Sequence, residues 1–357
     1  MRENKRIIFH VDMDHFFTAV EEREHPDYRG KPIVVGADPK EGKGRGVVST
    51  CNYEAREFGI RSGMPISRAW KLCPTAIYLP VNYRLYTKVS VEIMNILRKY
   101  AEKFEQWGLD EAFLDVTSKA KNYKETEALA KRIKNDIVQK EKLTCSIGIG
   151  PNKLVAKMAS DFQKPDGLTI VREDEVKDFL SPLPVRKLLW VGRKTEKKLK
   201  GLGIKTISDL AKYDPTVLVE KFGVMGTQLH LMANGIDNSK VEERTEVKSI
   251  SKETTFEEDM SDFNLVLNTL DKLSENVQKD VTKRKLYFKT VTVKVRYENF
   301  ETHTHAKTLQ FTTNRLQDMK KAAKELLQNY LKPDRKIRLV GVKASNFISA
   351  EKQKTLI

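Results

Sequence analysis

The sequence predicts a multidomain chain of α/β and α+β architecture, and three observations carry that expectation. Its 357 residues exceed what one ordinary core organises and suggest two to four domains. Residues 1–172 alternate apolar runs with amphipathic stretches in the order β, helices, β, α, β, α, with a small inserted segment at 24–81. Residues 173–240 read as all-helical, and residues 250–349 as β-α-β-β-α-β, the split β-α-β pattern.

Taken in order, residues 5–12 (Ile7, Ile8, Phe9 and Val11 within them) form a strand apolar on both faces. Helical spacing follows from Phe16 to Glu24. The next stretch is rich in turn formers. Val34, Val35 and Val47, Val48 mark short strands, and Gly42, Gly44 and Gly46 alternate with Lys43 and Arg45 in a basic loop. "NYEAREFG" and "MPISRAWKLCP" are short helices, the second opened by Pro65 and closed by Pro74. Residues 83–100 are a long amphipathic helix. "FEQWGLDEAFLDVT" holds a strand pair, 124–141 a second amphipathic helix, "LTCSIGIG" a strand, and "NKLVAKMASDF" a helix ended by "QKPDG". In the helical region "DPTVLVEKFG" carries Asp214 as the cap, Pro215 at the first helical position and Gly223 as the stop. Residues 241–249 are polar and charged and read as a linker. The last block places strands at "KSISKETTFE", "LYFKTVTVKVRYE", "ETHTHAKTLQF" and "KIRLVGVKASNF", with helices at 262–284 and 314–331.

Composition narrows the class. A formal charge of +16 favours a polyanionic partner, most often nucleic acid. No apolar run approaches the ~18 residues of a membrane span. "MRENKR" leads into a short apolar stretch without a small-residue cleavage site, so no signal peptide is read and the cytoplasm is the expected compartment. Cys51, Cys73 and Cys145 lie far apart and form no C-x-x-C pair, which argues against zinc ribbons and disulfide frameworks.

The chemistry gathers on acids at the ends of apolar runs. Asp12 and Asp14 close the first strand and precede Phe16 and Phe17; Asp110 and Glu111 stand together in "GLDEAFLDVT". Consecutive strand residues point to opposite faces, so using both acids requires a kink or a shared metal. Buried carboxylates without cations are costly, and an oxygen-only set suits Mg²⁺ bridging substrate phosphates. In a two-metal site, with ions ~3.5–4 Å apart, one activates the attacking oxygen and the other steadies the leaving one. Thr50, Tyr53 and Arg56 at helical spacing, and Lys164 just past a helix, could meet a triphosphate. P-loop and dinucleotide-binding glycine motifs are missing.

Five blocks, "HVDMDHFFTAVEE", "NYEAREFGIRSGMP", "LDEAFLD", "SIGIGPNKLVAKMASDFQKPDG" and "IRLVGVKASNF", resemble in that order the family-Y translesion DNA polymerases, especially the polymerase IV type of archaea and bacteria. The resemblance spans nearly the whole chain. It implies a palm with a mixed sheet (1–23 and 82–172), small fingers (24–81), an all-helical thumb with a helix-hairpin-helix (173–240), the linker and a little-finger domain (250–349). It also implies low-fidelity, lesion-bypass DNA synthesis on a primer-template, consuming dNTPs by two-metal phosphoryl transfer. Asp12 and Asp110 would bind both Mg²⁺ ions, with the Met13 carbonyl as a further ligand. Glu111 would bind the ion that activates the primer 3′-hydroxyl. The backbone of His15 and Phe16, with Thr50, Tyr53, Arg56 and Lys164, would hold the dNTP. Phe17 would be the steric gate against a 2′-hydroxyl, and Val47 would lie over the templating base. Asp14 and Asp115 would be structural. No separate block reads as a proofreading nuclease.

In the thumb, "VGRKTEKKLKGLGI" resembles a helix-hairpin-helix, which grips phosphate through backbone amides; Arg193, Lys194 and Lys197 add charge there. In "KTVTVKVRYE", Val291, Val293, Val295 and Tyr297 share one face, while Lys294 and Arg296 on the other are expected DNA-backbone contacts. His303 and His305 share a face without a third ligand and read as ordinary strand residues. Two positions depart from the family pattern. Gly108, preceded by Trp107, replaces the usual serine two residues before the catalytic aspartate. The hairpin usually reads Pro-Gly-Ile-Gly, and here Leu189 to Gly192 read "LWVG", with Trp190 in place of the first glycine. Tryptophan does not easily take positive φ, so altered amide geometry is expected. Gln353 and Leu356 match the start of a sliding-clamp-binding peptide. The chain is expected to act as a monomer, without a membrane. A nucleotidyl cyclase with a similar palm and a non-catalytic DNA-binding scaffold are the rival readings. The basic C-terminal half counts against the first, and the intact Asp12, Asp110 and Glu111 set against the second.

Overall fold

A computed structural model describes residues 6–120, 122–243 and 246–349. Contacts divide the chain into two compact units, residues 1–42 with 47–244 and residues 43–46 with 245–357. Gln353 and Leu356 lie outside the described residues.

In the first unit the strand Ile8–Met13 is the centre of a five-stranded sheet, ordered Lys103–Gln106, Glu111–Asp115, Ile8–Met13, Cys145–Gly150, Leu168–Ile170. It runs antiparallel to both neighbours and is buried along its whole length, as its unbroken apolar run requires. Helices Tyr83–Arg98 and Tyr123–Glu141 send Tyr86, Ile93, Leu97, Ile133 and Ile137 into a core shared with Val11, Leu114 and Ile147. Helix Lys153–Ser160 packs so close to strand Cys145–Gly150 that a Cβ on Gly148 would sit 2.0 Å from the Ala156 carbonyl oxygen. That approach explains the glycines of "SIGIG".

The inserted segment forms a three-stranded sheet, Val48–Cys51, Ile33–Gly36 and Ile77–Pro80. Asn52 ties it together: its side chain accepts from Ile33 N (2.9 Å) and caps helix Tyr53–Glu57 by accepting from Ala55 N (3.1 Å). Thr50 therefore lies on a strand, not on the helical face expected for it with Tyr53 and Arg56. The helical part includes Arg193–Gly201, Ile207–Lys212, Pro215–Phe222 and Val224–Ala233, packed around Leu199, Ile207, Leu210, Leu218 and Leu229. Asp214 caps and Gly223 (φ 62°) stops the third of these.

The linker expectation needs correction at both ends. Val241 is 1% exposed and packs with Ile8, Phe113 and Ala156, so the linker's first residues are docked; at its far end Ser249 already opens a strand. A lone apolar side chain among charges gave no periodicity to read.

The second unit holds a four-stranded antiparallel sheet ordered Thr302–Thr313, Leu286–Tyr297, Ile337–Ser345, Ser249–Met260. Val291, Val293, Val295 and Tyr297 face helices Phe263–Lys283 and Leu316–Gln328 in its core. Lys294 and Arg296 alternate with them; Lys294 pairs with Glu253 (2.8 Å), and Arg296 Nε donates to Thr302 Oγ1 (2.8 Å). His303 contacts Glu301 and stacks on Tyr330, consistent with an ordinary strand residue.

Candidate active site

Pairing of the central strand with Glu111–Asp115 sets Asp12 opposite Glu111, and pairing with Cys145–Gly150 sets it opposite Ser146. The strand starts at Glu111, so Asp110 is not a strand residue. Gly108, at φ 116°, turns the chain; Trp107 N donates to the Glu111 carbonyl (2.8 Å), and Met13 N to the Asp110 carbonyl (2.9 Å). This turn resolves the opposite-face problem, because Asp110 leaves the strand alternation before Glu111 enters it. A side chain at Gly108 would have to adopt a left-handed conformation that suits glycine.

Three side chains, His10, Asp12 and Glu111, bring potential ligand atoms within 4.8 Å of one another. Asp110 lies outside that tightest cluster but feels it. Burial, then the charges of Asp12 and Glu111, push its carboxyl up to about 6. Burial also works to raise Glu111, yet the His10 ring and Lys157 outweigh it and hold the acid below the usual carboxylate range. Lys157 Nζ bridges Glu111 Oε2 (2.6 Å) and Asp12 Oδ2 (3.0 Å); Lys164 Nζ reaches Asp12 Oδ1 (2.6 Å) and Asp161 Oδ1 (3.2 Å). Burial disfavours the charged Lys157, but Asp12, Asp161 and Glu111 overcome it and raise its basicity. Fully buried His10 donates or accepts through Nδ1 at Ser160 Oγ (2.7 Å), while its Nε2 lies 3.1 Å from Glu111 Oε2 in poor hydrogen-bond alignment.

His10, Ser160 and Lys157 escaped the sequence reading. His10 was legible as the residue two before Asp12, hence on the same strand face. Lys153 and Lys157, one turn apart in an otherwise apolar helix, were the second available signal: both turn inward, Lys153 onto Glu105 (2.6 Å).

Asp14 belongs to a different network. It is 1% exposed, and its carboxylate accepts from Thr144 Oγ1 (2.8 Å), Ser146 Oγ (2.8 Å) and Asp166 N (2.9 Å). It thereby tethers the turn that carries Lys164. Asp115 accepts from Thr117 N and Oγ1 (3.1 and 2.5 Å).

Beside the acids, His15 takes a left-handed conformation (φ 36°) at the start of helix Phe16–Glu24, and its ring meets Tyr53 edge-on at 5.1 Å. Burial lowers the His15 imidazole to about 4, so it is neutral near pH 7. Arg56 lies over the Tyr53 ring at 4.6 Å. The Tyr53 hydroxyl is buried with no hydrogen-bond partner among the described residues, an orphaned donor next to a guanidinium. Phe16 is buried, whereas Phe17 is partly exposed and stacks on Tyr86 (4.3 Å, 13° between planes), whose hydroxyl donates to Glu21 (2.6 Å). Thr50 is half-buried and Val47, 49% exposed, is bridged to Pro65.

In the helical region Trp190 adopts φ 70° despite its side chain, so the hairpin retains a positive-φ residue where the family has glycine. The expected loss of that geometry is corrected, because the residue takes the left-handed conformation although it is not glycine. Gly192, in extended backbone, leads into helix Arg193–Gly201, whose Arg193, Lys194 and Lys197 are exposed.

The fold and the acid-lined sheet define a palm-type nucleotidyltransferase. Sequence profiles agree and narrow it: residues 11–161 match the impB/mucB/samB family, 247–356 its C-terminal domain, and 187–237 a DNA polymerase-iota thumb domain. The chain is 49% identical over 353 residues to DNA polymerase IV 2 of Methanosarcina mazei (99% of this chain, 95% of the relative). It is 48% identical to DNA polymerase IV of Methanoculleus marisnigri (97% and 95%). Among solved structures, a Y-family chimera, Dbh-Dpo4(243-245)-Dbh, matches with TM-score 0.88 at 34% identity (96% of this chain, 99% of that one). An insertion ternary complex of Dbh DNA polymerase matches with TM-score 0.68 at 33% identity (96% and 99%). The chain belongs to the Y-family DNA polymerases, and its activity is DNA-directed DNA synthesis of the translesion type. Enzymes of this family need a divalent metal, and the acidic cluster fits such a site. No helix among the described residues is long and apolar enough to cross a membrane.

Proposed function

We propose that Asp12, Asp110 and Glu111, with the Met13 carbonyl, hold two Mg²⁺ ions, and that the chain elongates a primer-template with dNTPs at this point. The observation that carries the reading is the convergence of three acids at one sheet end: Asp12 and Glu111 pair across neighbouring strands, and burial, then the charges of those two, push Asp110 in the adjoining turn up to about 6. Such repulsion is what a cation relieves, and oxygen donors suit magnesium. Bound there, the ions would activate the primer hydroxyl and stabilise charge on the transferred phosphoryl and the leaving pyrophosphate.

The remaining side chains divide the work. Tyr53, Arg56 and Lys164, with Thr50 and the backbone of His15 and Phe16, hold the triphosphate; a phosphate oxygen would satisfy the orphaned Tyr53 hydroxyl. Neutral His15 adds no positive charge there. Phe17, braced on Tyr86, excludes a 2′-hydroxyl by contact. Val47 faces the templating base. Arg193, Lys194, Lys197, Lys294 and Arg296 grip DNA backbone, so affinity falls steeply with salt. The palm, fingers, thumb and little finger keep the bounds given above, the linker trimmed by its docked start. The chain acts as a monomer in the cytoplasm and engages a sliding clamp through the Gln353–Leu356 stretch, which a pull-down with a clamp tests directly.

Primer extension with Mg²⁺ and the Asp110→Ala variant tests the assignment. The variant is expected to bind primer-template while losing extension. Retained extension, or loss of the fold, would overturn the role given to Asp110.

A further inference from the structure

The two departures from the family pattern, far apart in the chain, meet in space. The Trp107 and Trp190 rings lie 6.1 Å apart at 36°. Trp107 N donates to the Glu111 carbonyl (2.8 Å), and its ring lies 5.0 Å from that of Phe113, two residues along the strand that Glu111 opens. Trp190 opens the loop that leads to the basic helix Arg193–Gly201. The pair thus joins the strand end that carries Glu111 to the start of that basic helix.

Trp190 is held at φ 70°, an unfavourable conformation for a bulky residue, and is nonetheless 59% exposed. Burial of its ring does not account for the strain. Beside the pair lies a cavity of about 200 Å³, walled by both indoles, Phe113 and Leu189, with Gln228, Asp237 and Ser239 as its polar lining and Lys153 turned to Glu105. Lys153 Nζ sits 5.2 Å from the Trp107 ring centroid and 4.9 Å from that of Phe113. The volume is below the ~300 Å³ at which drug-sized pockets begin, and suits one planar ring system.

We propose that Trp190, backed by Trp107, is a seat for a single unpaired nucleobase at the primer end, held there by stacking while it is away from the metal acids. This rests on the polymerase reading. A mispaired end is the natural occupant, because unstacking and unpairing cost least for a mismatched base. A matched end stays in the duplex. Stacking on an aromatic ring is worth ~1–3 kcal/mol per base, which corresponds to a roughly 5- to 150-fold change in occupancy. The seat therefore slows extension from mismatched ends relative to matched ones.

The test uses the full chain. Trp70 is the third tryptophan and packs against Tyr78 in the fingers sheet, so Trp70→Phe leaves only the proposed pair to report. Primer-template ending in a mismatch is expected to quench tryptophan emission more than a matched one. In Trp190→Gly that difference disappears, and with saturating DNA the ratio of kcat/KM for the incoming dNTP on mismatched to matched ends rises roughly 5- to 150-fold. Trp190→Phe, which keeps a ring, is expected to retain most of the discrimination, and thermal melts verify that both variants fold. Equal quenching by the two ends, or the same ratio in wild type, Gly and Phe variants, would overturn the seat. Extension of matched primers by the Trp70→Phe protein tests the polymerase reading separately.

Discussion

Asp12 and Asp14 stand two residues apart in one motif, and their substitutions are expected to fail in opposite ways. Asp14 is almost fully buried and accepts three hydrogen bonds, from two hydroxyls and one backbone amide. Bonds to a charged acceptor contribute about 1.5–3 kcal/mol each, but the two hydroxyls can turn to other acceptors. Asp14→Ala leaves the Asp166 amide orphaned and a small void, so a net loss of about 4 kcal/mol is expected. At about 2–4 °C per kcal/mol for a unit of this size, the melting point falls by roughly 8–16 °C. Asp12→Asn differs. Lys157 retains Glu111, Lys164 retains Asp161, and repulsion with Asp110 is relieved. Its stability is expected to stay within about 1 kcal/mol of the parent while extension is lost. Melts followed by circular dichroism, paired with gel-based extension, separate the two. The assignment fails if Asp14→Ala melts like the parent, or if Asp12→Asn is the less stable of the two.

Phe17→Ala is expected to admit ribonucleotides: relief of even about 1.4 kcal/mol of clash raises the kcat/KM ratio of rNTP to dNTP roughly tenfold, and unchanged sugar selectivity would remove Phe17 from the gate. His15 gives a pH test. Its folded value of about 4 lies below the 6.5 of the unfolded chain, so as pH falls from about 6.5 to 4 the unfolded state takes the proton first and stability drops, by an order of 3 kcal/mol from this group. Asp110 acts in the other direction: raised to about 6, it takes its proton first in the folded state, and stability rises as pH falls from about 6 to 3.8. The two largely offset in a melt, so NMR of the imidazole is the cleaner measurement; a midpoint near 6.5 would contradict the burial argument.

The legible parts of this fold were those written in periodicity. An unbroken apolar run became the buried central strand, and alternation in "VTVKVRY" put valines inward as read. What escaped depended on long-range approach. Thr50 follows a helical spacing but pairs with Val35 as a strand residue. Val241 finds a core contributed by residues distant in sequence. Trp190 shows the same limit for a single dihedral. Local preference argues against φ 70°, and the ring contact with Trp107 comes from another part of the chain.

The charges at the site follow that logic to its end. Read alone, the three acids call for cations, and the sequence places them without showing what balances them. In the fold Lys157 and Lys164 do so, at 2.6–3.0 Å from Asp12 and Glu111. Two ammonium groups against these three carboxylates leave the cluster short of neutrality, and Asp110, outside the tightest group, is pushed up by burial first and then by the charges of Asp12 and Glu111. The lysines thus hold Asp12 and Glu111 together without a cation, and Asp110 is the acid whose remaining proton a cation bound there would displace. Asp12 and Glu111 are therefore preorganised by helix Lys153–Ser160 and the Lys164 turn.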